Sequence, residues 1–189
     1  LGWAYATARA TRLGAAQVAA HQVAVSVWLI FALILDSTAV SSQVLMSRAY
    51  SAADKPAVKS LLRYMGIAAV VQGLILLLFV NGIGWLVPSL FTPDPMVQGH
   101  LHHIMKPLAL TQLIVSLTLV AESLAIGANQ FRTLAGGTTL ATVLAVKMIS
   151  MQKTVAGIWQ NGIITLFVGR FATALLANVW GWVKLNKSN

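Results

Sequence analysis

Two carboxylates inside apolar stretches are the residues of this sequence best suited to chemistry. Asp36 lies in "VWLIFALILDSTAVSSQVLM" and Glu122 lies in "LTLVAESLAIGANQF". An ionised carboxylate at the centre of a bilayer costs about 3 kcal/mol, so such residues usually face a polar cavity, pair with a cation or carry a proton. We therefore predict that both residues bind protons or ions.

Each carboxylate also has a purely structural interpretation. Asp36 could be hydrated near the membrane surface or hydrogen-bonded by a serine or by Gln43, which lies in the same segment. Glu122 lies only about six residues before a predicted loop, so hydration at the surface is a stronger alternative for Glu122 than for Asp36.

Other polar residues in the apolar segments are candidates for lining a substrate cavity. Arg170, in "TLFVGRFATALL", either neutralises an acid or extends to the membrane surface, and extension is favoured. His21 is favoured as a hydrogen-bonded packing residue, with a ligand role as the alternative. Gln43 and Gln112 can line a path for substrate, but such amides also hold helices together.

The sequence carries no recognisable set of catalytic or metal-binding residues. His100, His102 and His103 are clustered but lack cysteine or carboxylate partners, so they are predicted to be solvated loop histidines. There is no nucleophile paired with a base and no phosphate-binding loop. We therefore expect neither an enzyme, nor a catalytic residue, nor a metal, nor a cofactor.

The composition is typical of a membrane protein. Of 189 residues, 58% are hydrophobic and only 9% are charged, and the mean hydropathy is +0.78. A soluble domain carries about 25% charged residues. The net charge of +9 comes from basic residues scattered between apolar runs, which fits loops at an anionic membrane surface and disfavours nucleic acid as a partner.

Five stretches are long and apolar enough to cross the roughly 30 Å of membrane hydrocarbon. We expect an all-α polytopic membrane protein in which residues 1–13 are the end of a sixth helix whose beginning is missing. Pro107 is predicted at the first position of the third span. The predicted spans are 16–46, 64–87, 107–128, 134–149 and 157–183.

The predicted loops carry unequal numbers of basic residues. Residues 47–63 are predicted to form an amphipathic connection, with "SAAD" as its helix cap. Because basic loops stay in the cytoplasm, the richer side is predicted to be cytoplasmic or equivalent. That side carries seven basic residues, namely Arg48, Lys55, Lys59, Arg63, Arg132, Lys184 and Lys187, and the other carries five, namely Arg9, Arg12, Lys106, Lys147 and Lys153.

The sequence resembles the multidrug and toxic compound extrusion (MATE) transporters, and most of all the branch of the DNA-damage-inducible F proteins and their plant plastid-type relatives. The resemblance rests on "RLG" (12–14), "AAHQV" (19–23), Trp28, Asp36 with the small residues that follow it, and Gln43. The later "AESLAIGANQFR" (121–132) is similar to an acidic segment of the family, with Asn129 where an acid is common.

The resemblance implies one six-helix lobe, the C-terminal one, of a twelve-helix transporter. The chain would hold five complete spans and the end of another, and its partners would be the bilayer and the missing N-terminal lobe. The implied activity is export of organic cations or organic acids in exchange for H⁺ or Na⁺, with Asp36 and Glu122 as coupling residues. The implied location is the plasma membrane or a plastid envelope.

Two alternatives remain open beside the exporter. The chain could belong to another secondary carrier or to a lipid-linked flippase of the same superfamily. It could also be a membrane scaffold subunit that transports nothing.

Overall fold

The computed structural model describes residues 1–187, which form an all-helical bundle without a β-strand. A π-helical stretch, Ile158–Ile163, joins α7 directly to α8. The α-helices are α1 Gly2–Thr11, α2 Ala15–Ser51, α3 Lys55–Ile83, α4 Val87–Phe91, α5 Pro95–Gly127, α6 Phe131–Ser150, α7 Val155–Gly157 and α8 Ile164–Lys187.

Within residues 1–187, five helical segments are long and apolar enough to cross a membrane. They are α2, α3, α5, α6 and the continuous stretch Val155–Lys187. At 1.5 Å per residue the 37 residues of α2 extend about 55 Å, which exceeds the hydrocarbon thickness. The chain is therefore an integral multi-pass membrane protein, which confirms the predicted fold class.

Two of the four acids in the sequence begin helices. The side chain of Asp54 accepts a hydrogen bond from the Ala57 backbone N–H at 3.0 Å, and that of Asp94 accepts one from the Met96 N–H at 2.8 Å. A proline follows each cap in the first turn, where its missing N–H is not needed. The caps confirm the predicted role of "SAAD" and leave Asp36 and Glu122 as the two acids away from helix ends.

Helix α5 is the centre of the bundle and packs against α2, α3 and α8. Glycine allows its closest approach to α2, because a β-carbon on Gly127 would lie 2.7 Å from the Gln43 carbonyl oxygen. The Gly137 position in "AGGTT" is likewise filled by Thr173 of α8, as expected for a helix contact.

Hydrogen bonds define two opposite ends of the bundle. At the first, which we call the Tyr50 end, the Tyr50 hydroxyl donates to the Gly181 carbonyl at 3.2 Å. At the second, the Gln152 end, the Arg9 guanidinium donates to the Gln152 carbonyl at 2.7 Å. The seven basic residues predicted to face the cytoplasm or its equivalent therefore lie on helix ends that meet at the Tyr50 end.

The connection between the first two spans is much shorter than predicted. Helix α2 continues to Ser51 and α3 begins at Lys55, so only residues 52–54 lie between them. Residues 47–63 are therefore the continuation of two spanning helices and form no separate amphipathic element. Basic residues at helix ends produced the amphipathic pattern.

The third span also begins earlier than predicted. Because Asp94 caps α5, the segment that contains His100, His102 and His103 is helical, and those residues do not lie in a loop. Pro107 lies inside α5 rather than at its first position. It removes one backbone hydrogen bond, but the helix continues because its neighbours bury more than half of its apolar stretch.

Candidate functional site

Glu122 and Arg170 form a two-point ion pair between α5 and α8. The Arg170 Nε donates to Glu122 Oε1 at 2.8 Å and its Nη2 donates to Oε2 at 2.6 Å. The side chains are 13% and 23% exposed, respectively. The guanidinium thus offsets the cost of burying the carboxylate. The favoured prediction that Arg170 extends to the membrane surface is wrong, and the alternative, neutralisation of an acid, is confirmed.

The ion pair borders an open cleft of about 510 Å³ between α5, α6 and α8. Three threonines of α6, Thr138, Thr139 and Thr142, also line the cleft, and the hydroxyls of Thr139 and Thr142 donate to backbone carbonyls of their own helix. The α6 threonines follow the helical repeat of three and four residues, so they share one face. Charged and hydroxyl groups at one cleft can exchange hydrogen bonds with a polar solute or a hydrated ion.

Asp36 has a different environment. It is exposed on α2, fifteen residues before Ser51. Within residues 1–187 no hydrogen bond or ion pair reaches its carboxylate, so neither Gln43 nor a serine ties it up. The neighbouring Ser37 and Ser41 hydroxyls donate instead to backbone carbonyls of their own helix. The structure therefore does not bring Asp36 and Glu122 into contact with each other or into one cleft.

His21 lies in the packed interior rather than at a cleft. The Trp159 indole N–H donates to His21 Nδ1 at 3.2 Å, and Nε2 lies 3.1 Å from the Thr7 hydroxyl. Since the indole is a donor only, Nδ1 must be the acceptor and Nε2 the protonated nitrogen of a neutral ring. His21 is 0% exposed, so the packing interpretation fits it and the cavity-lining prediction does not.

The two glutamine candidates are placed differently. Gln43 is half-buried on α2, where its backbone carbonyl contacts Gly127. Gln112 is fully buried on α5, and neither of its amide atoms has a hydrogen-bond partner within residues 1–187. A cavity-lining role for either glutamine stays a prediction.

Asn178 is a polar residue of this region that sequence reasoning missed. Its amide donates to the Ala121 carbonyl at 2.8 Å and to the Ala174 carbonyl at 2.9 Å. Asn178 thereby ties α8 to the turn of α5 that carries Glu122. Its spacing of eight residues from Arg170 places both on one side of α8 and was the available signal.

Comparison with known proteins identifies the family. Residues 5–150 match the MatE family. The chain belongs to the MatE family. The matched residues include His21, Asp36 and Glu122, whereas Arg170 lies beyond them. The predicted family is thereby confirmed, while the branch and the lobe stay predictions.

Two curated relatives of this MatE-family chain come from Arabidopsis thaliana. Protein DETOXIFICATION 45, chloroplastic, is 28% identical over 167 residues, which are 87% of this chain and 30% of that protein. Protein DETOXIFICATION 43 is 34% identical over 173 residues, which are 86% of this chain and 30% of that protein. The chain thus spans about a third of the length of these relatives. No solved structure matches it.

Proposed function

We propose that this MatE-family chain is the C-terminal lobe of a secondary antiporter that exports organic solutes in exchange for H⁺ or Na⁺. The observation that carries the proposal is Asp36, a carboxylate in the middle of a spanning helix that has no partner within residues 1–187. Intramembrane acids mark ion and proton pathways more often than structural positions.

The exposed face of α2 around Asp36 carries both polar and apolar side chains. Ser37 and Ser41 are exposed beside Asp36, and so are Leu33 and Val40. A carboxylate that faced hydrocarbon would be costly, and nothing in the described part of the chain compensates it. A water-filled space on this side of α2, bounded by the remainder of the protein, removes that cost. In transporters such a space is the site of solute and ion binding.

Glu122 suits a second step of coupling. A proton or Na⁺ that binds Glu122 must weaken its pair with Arg170, so occupancy of the carboxylate changes the contact between α5 and α8. Coupling requires a difference in interaction free energy between two states, and a breakable pair between two helices can supply it. We infer that Asp36 takes up the coupling ion. Binding of a proton or Na⁺ at Glu122 is a separate step that changes the contact between α5 and α8.

We propose two classes of substrate and two candidate membranes. Organic cations suit a cavity lined by Asp36, while organic acids suit the guanidinium of Arg170 once Glu122 releases it. The chloroplastic designation of DETOXIFICATION 45 supports the plastid envelope as the membrane, with the plasma membrane as the alternative.

Gradient-driven efflux by the full-length transporter tests the proposal. Asp36→Asn and Glu122→Gln are compared with wild type in vesicles that carry a proton or a Na⁺ gradient and a fluorescent organic cation or anion. We expect efflux to fall at least tenfold in Asp36→Asn, and Asp36→Glu is the charge-preserving control. Wild-type efflux in both neutral variants would contradict coupling through these residues. An absence of gradient-driven flux in the wild-type protein for every solute would favour the scaffold alternative.

A further inference from the structure

A second cavity adjoins the same contact between α5 and α8, since Ala121, Phe171 and the polar Asn178 line it, but neither Glu122 nor Arg170 does. It is an apolar groove of about 360 Å³ between α3, α5 and α8, which we call the α3–α8 groove. Its walls include Leu62 and Gly66 of α3, Leu117 of α5, and Leu175 and Trp182 of α8. At 1.5 Å per residue, the α8 wall from Phe171 to Trp182 runs about 16 Å along the helix axis. The groove therefore has the elongated shape of a hydrocarbon chain.

The helix faces beside the α3–α8 groove have the character of lipid-facing surfaces. On α3, Ile67, Ile75 and Leu78 are at least half exposed. On α8, Leu176 and Val179 are 63% and 61% exposed. These faces lack the exposed carboxylate and serines of α2 and the threonines of the α6 cleft. The groove thus opens where the protein is expected to meet acyl chains.

Basic side chains lie at one mouth of the α3–α8 groove. Lys59 precedes Leu62 by three residues, so it continues the groove-lining face of α3 toward the Tyr50 end, and Arg63 lies beside that face between Leu62 and Gly66. Both are exposed, and within residues 1–187 the one ion pair is that of Glu122 with Arg170. Trp182 lines the same mouth, as aromatic residues do at the membrane interface.

We propose that the α3–α8 groove binds one anionic phospholipid, with an acyl chain along the groove and the phosphate against Lys59 and Arg63. An apolar groove that ends beside basic groups without an ion-pair partner in residues 1–187 matches both halves of such a lipid. A zwitterionic lipid would fill the same groove but gain less from the two cations. The proposal does not depend on transport and holds for any function of the protein.

Lipid titration of the purified full-length protein in detergent, read by native mass spectrometry, tests the proposal. The probes are phosphatidylglycerol and phosphatidylcholine with identical acyl chains, and water-soluble glycerol 3-phosphate. We expect the first phosphatidylglycerol to bind at least tenfold more tightly than phosphatidylcholine, because each nearby cation strengthens anionic binding several-fold. Glycerol 3-phosphate should not compete, since it lacks the chain. Equal binding of both lipids, or competition by glycerol 3-phosphate, would overturn the proposal.

A matched pair of charge variants locates the headgroup. Lys59→Gln with Arg63→Gln should remove the preference for phosphatidylglycerol. Lys184→Gln with Lys187→Gln removes the same charge at the same end, but Lys184 lies two residues after Trp182 and hence on the other side of α8. That control should change the preference less than threefold. An equal loss of this preference in both double variants would show that the whole basic end attracts anionic lipids, and it would contradict the proposed position of the headgroup.

A matched pair of glycine variants locates the chain. A β-carbon at Gly66 or at Gly82 of α3 would meet no atom within 4 Å, so both positions accept a larger side chain without a clash. Gly66 lines the α3–α8 groove, whereas Gly82 is outside its lining. Gly66→Leu should lower affinity for both lipids at least fivefold, and Gly82→Leu should leave it unchanged. Unchanged binding in Gly66→Leu, or equal loss in Gly82→Leu, would contradict the proposed position.

Discussion

Asp36 and Glu122 are both carboxylates in spanning helices, but their surroundings differ in almost every respect. Glu122 is mostly buried and is held at two points by Arg170. Asp36 is exposed on α2 and has no partner within residues 1–187. The charge of Glu122 is compensated by Arg170 inside the bundle, whereas compensation of the Asp36 charge depends on what covers α2. Mutations at the two sites should therefore separate stability from transport.

Loss of Arg170 is expected to give the largest effect on stability. Arg170→Gln leaves the mostly buried Glu122 carboxylate without its cation, which typically costs about 3–5 kcal/mol. Thermal unfolding of the purified full-length protein measures the effect. The control is Lys147→Gln, because Lys147 is an exposed cation on α6 and should change stability little. The double variant Glu122→Gln with Arg170→Gln should recover part of the loss, since no charge is then left unpaired.

Loss of Glu122 should cost less than loss of Arg170. In Glu122→Gln the amide oxygen can still accept one of the two hydrogen bonds, and the partly exposed side chain of Arg170 can be hydrated. Hydrogen bonds to charged groups contribute about 1.5–3 kcal/mol, and we expect a loss within that range. A destabilisation larger than that of Arg170→Gln would mean that the guanidinium, rather than the carboxylate, is the more deeply desolvated partner.

The buried histidine gives an intermediate case of a polar group inside the bundle. Trp159→Phe removes the donor to His21 Nδ1 while it keeps an aromatic ring in the cluster with Trp3. We expect a loss of about 1–3 kcal/mol, because an acceptor stays buried without a partner. Efflux per folded molecule should be unchanged if His21 is a packing residue. A specific loss of efflux at normal stability would instead indicate a role in transport.

The sequence predicted the spans and the family but not the pairing of their polar residues. Apolar length and the cap at Asp54 depend on neighbouring residues, so they could be recognised, whereas the cap at Asp94 was missed. The partner of Glu122 is 48 residues away on another helix, and no local pattern connects the two. Helix continuity from Pro95 through Pro107 was missed because packing around α5 overrides the local preference of proline.

Neutralising Asp36 is expected to have the smallest effect on stability and the largest effect on transport. Since Asp36 has no partner to lose within residues 1–187, Asp36→Asn removes a charge from a spanning helix without leaving another unpaired there. Membrane protein level should stay the same or rise, in contrast to Glu122→Gln. Efflux should fall further than in Glu122→Gln, because Asp36 lies fifteen residues from the end of α2 and Glu122 only five from the end of α5. Both quantities are measured on the same vesicles, with efflux divided by protein level. A fall in protein level together with normal efflux per molecule would show that Asp36 is held by a structural partner outside this chain and does not couple transport.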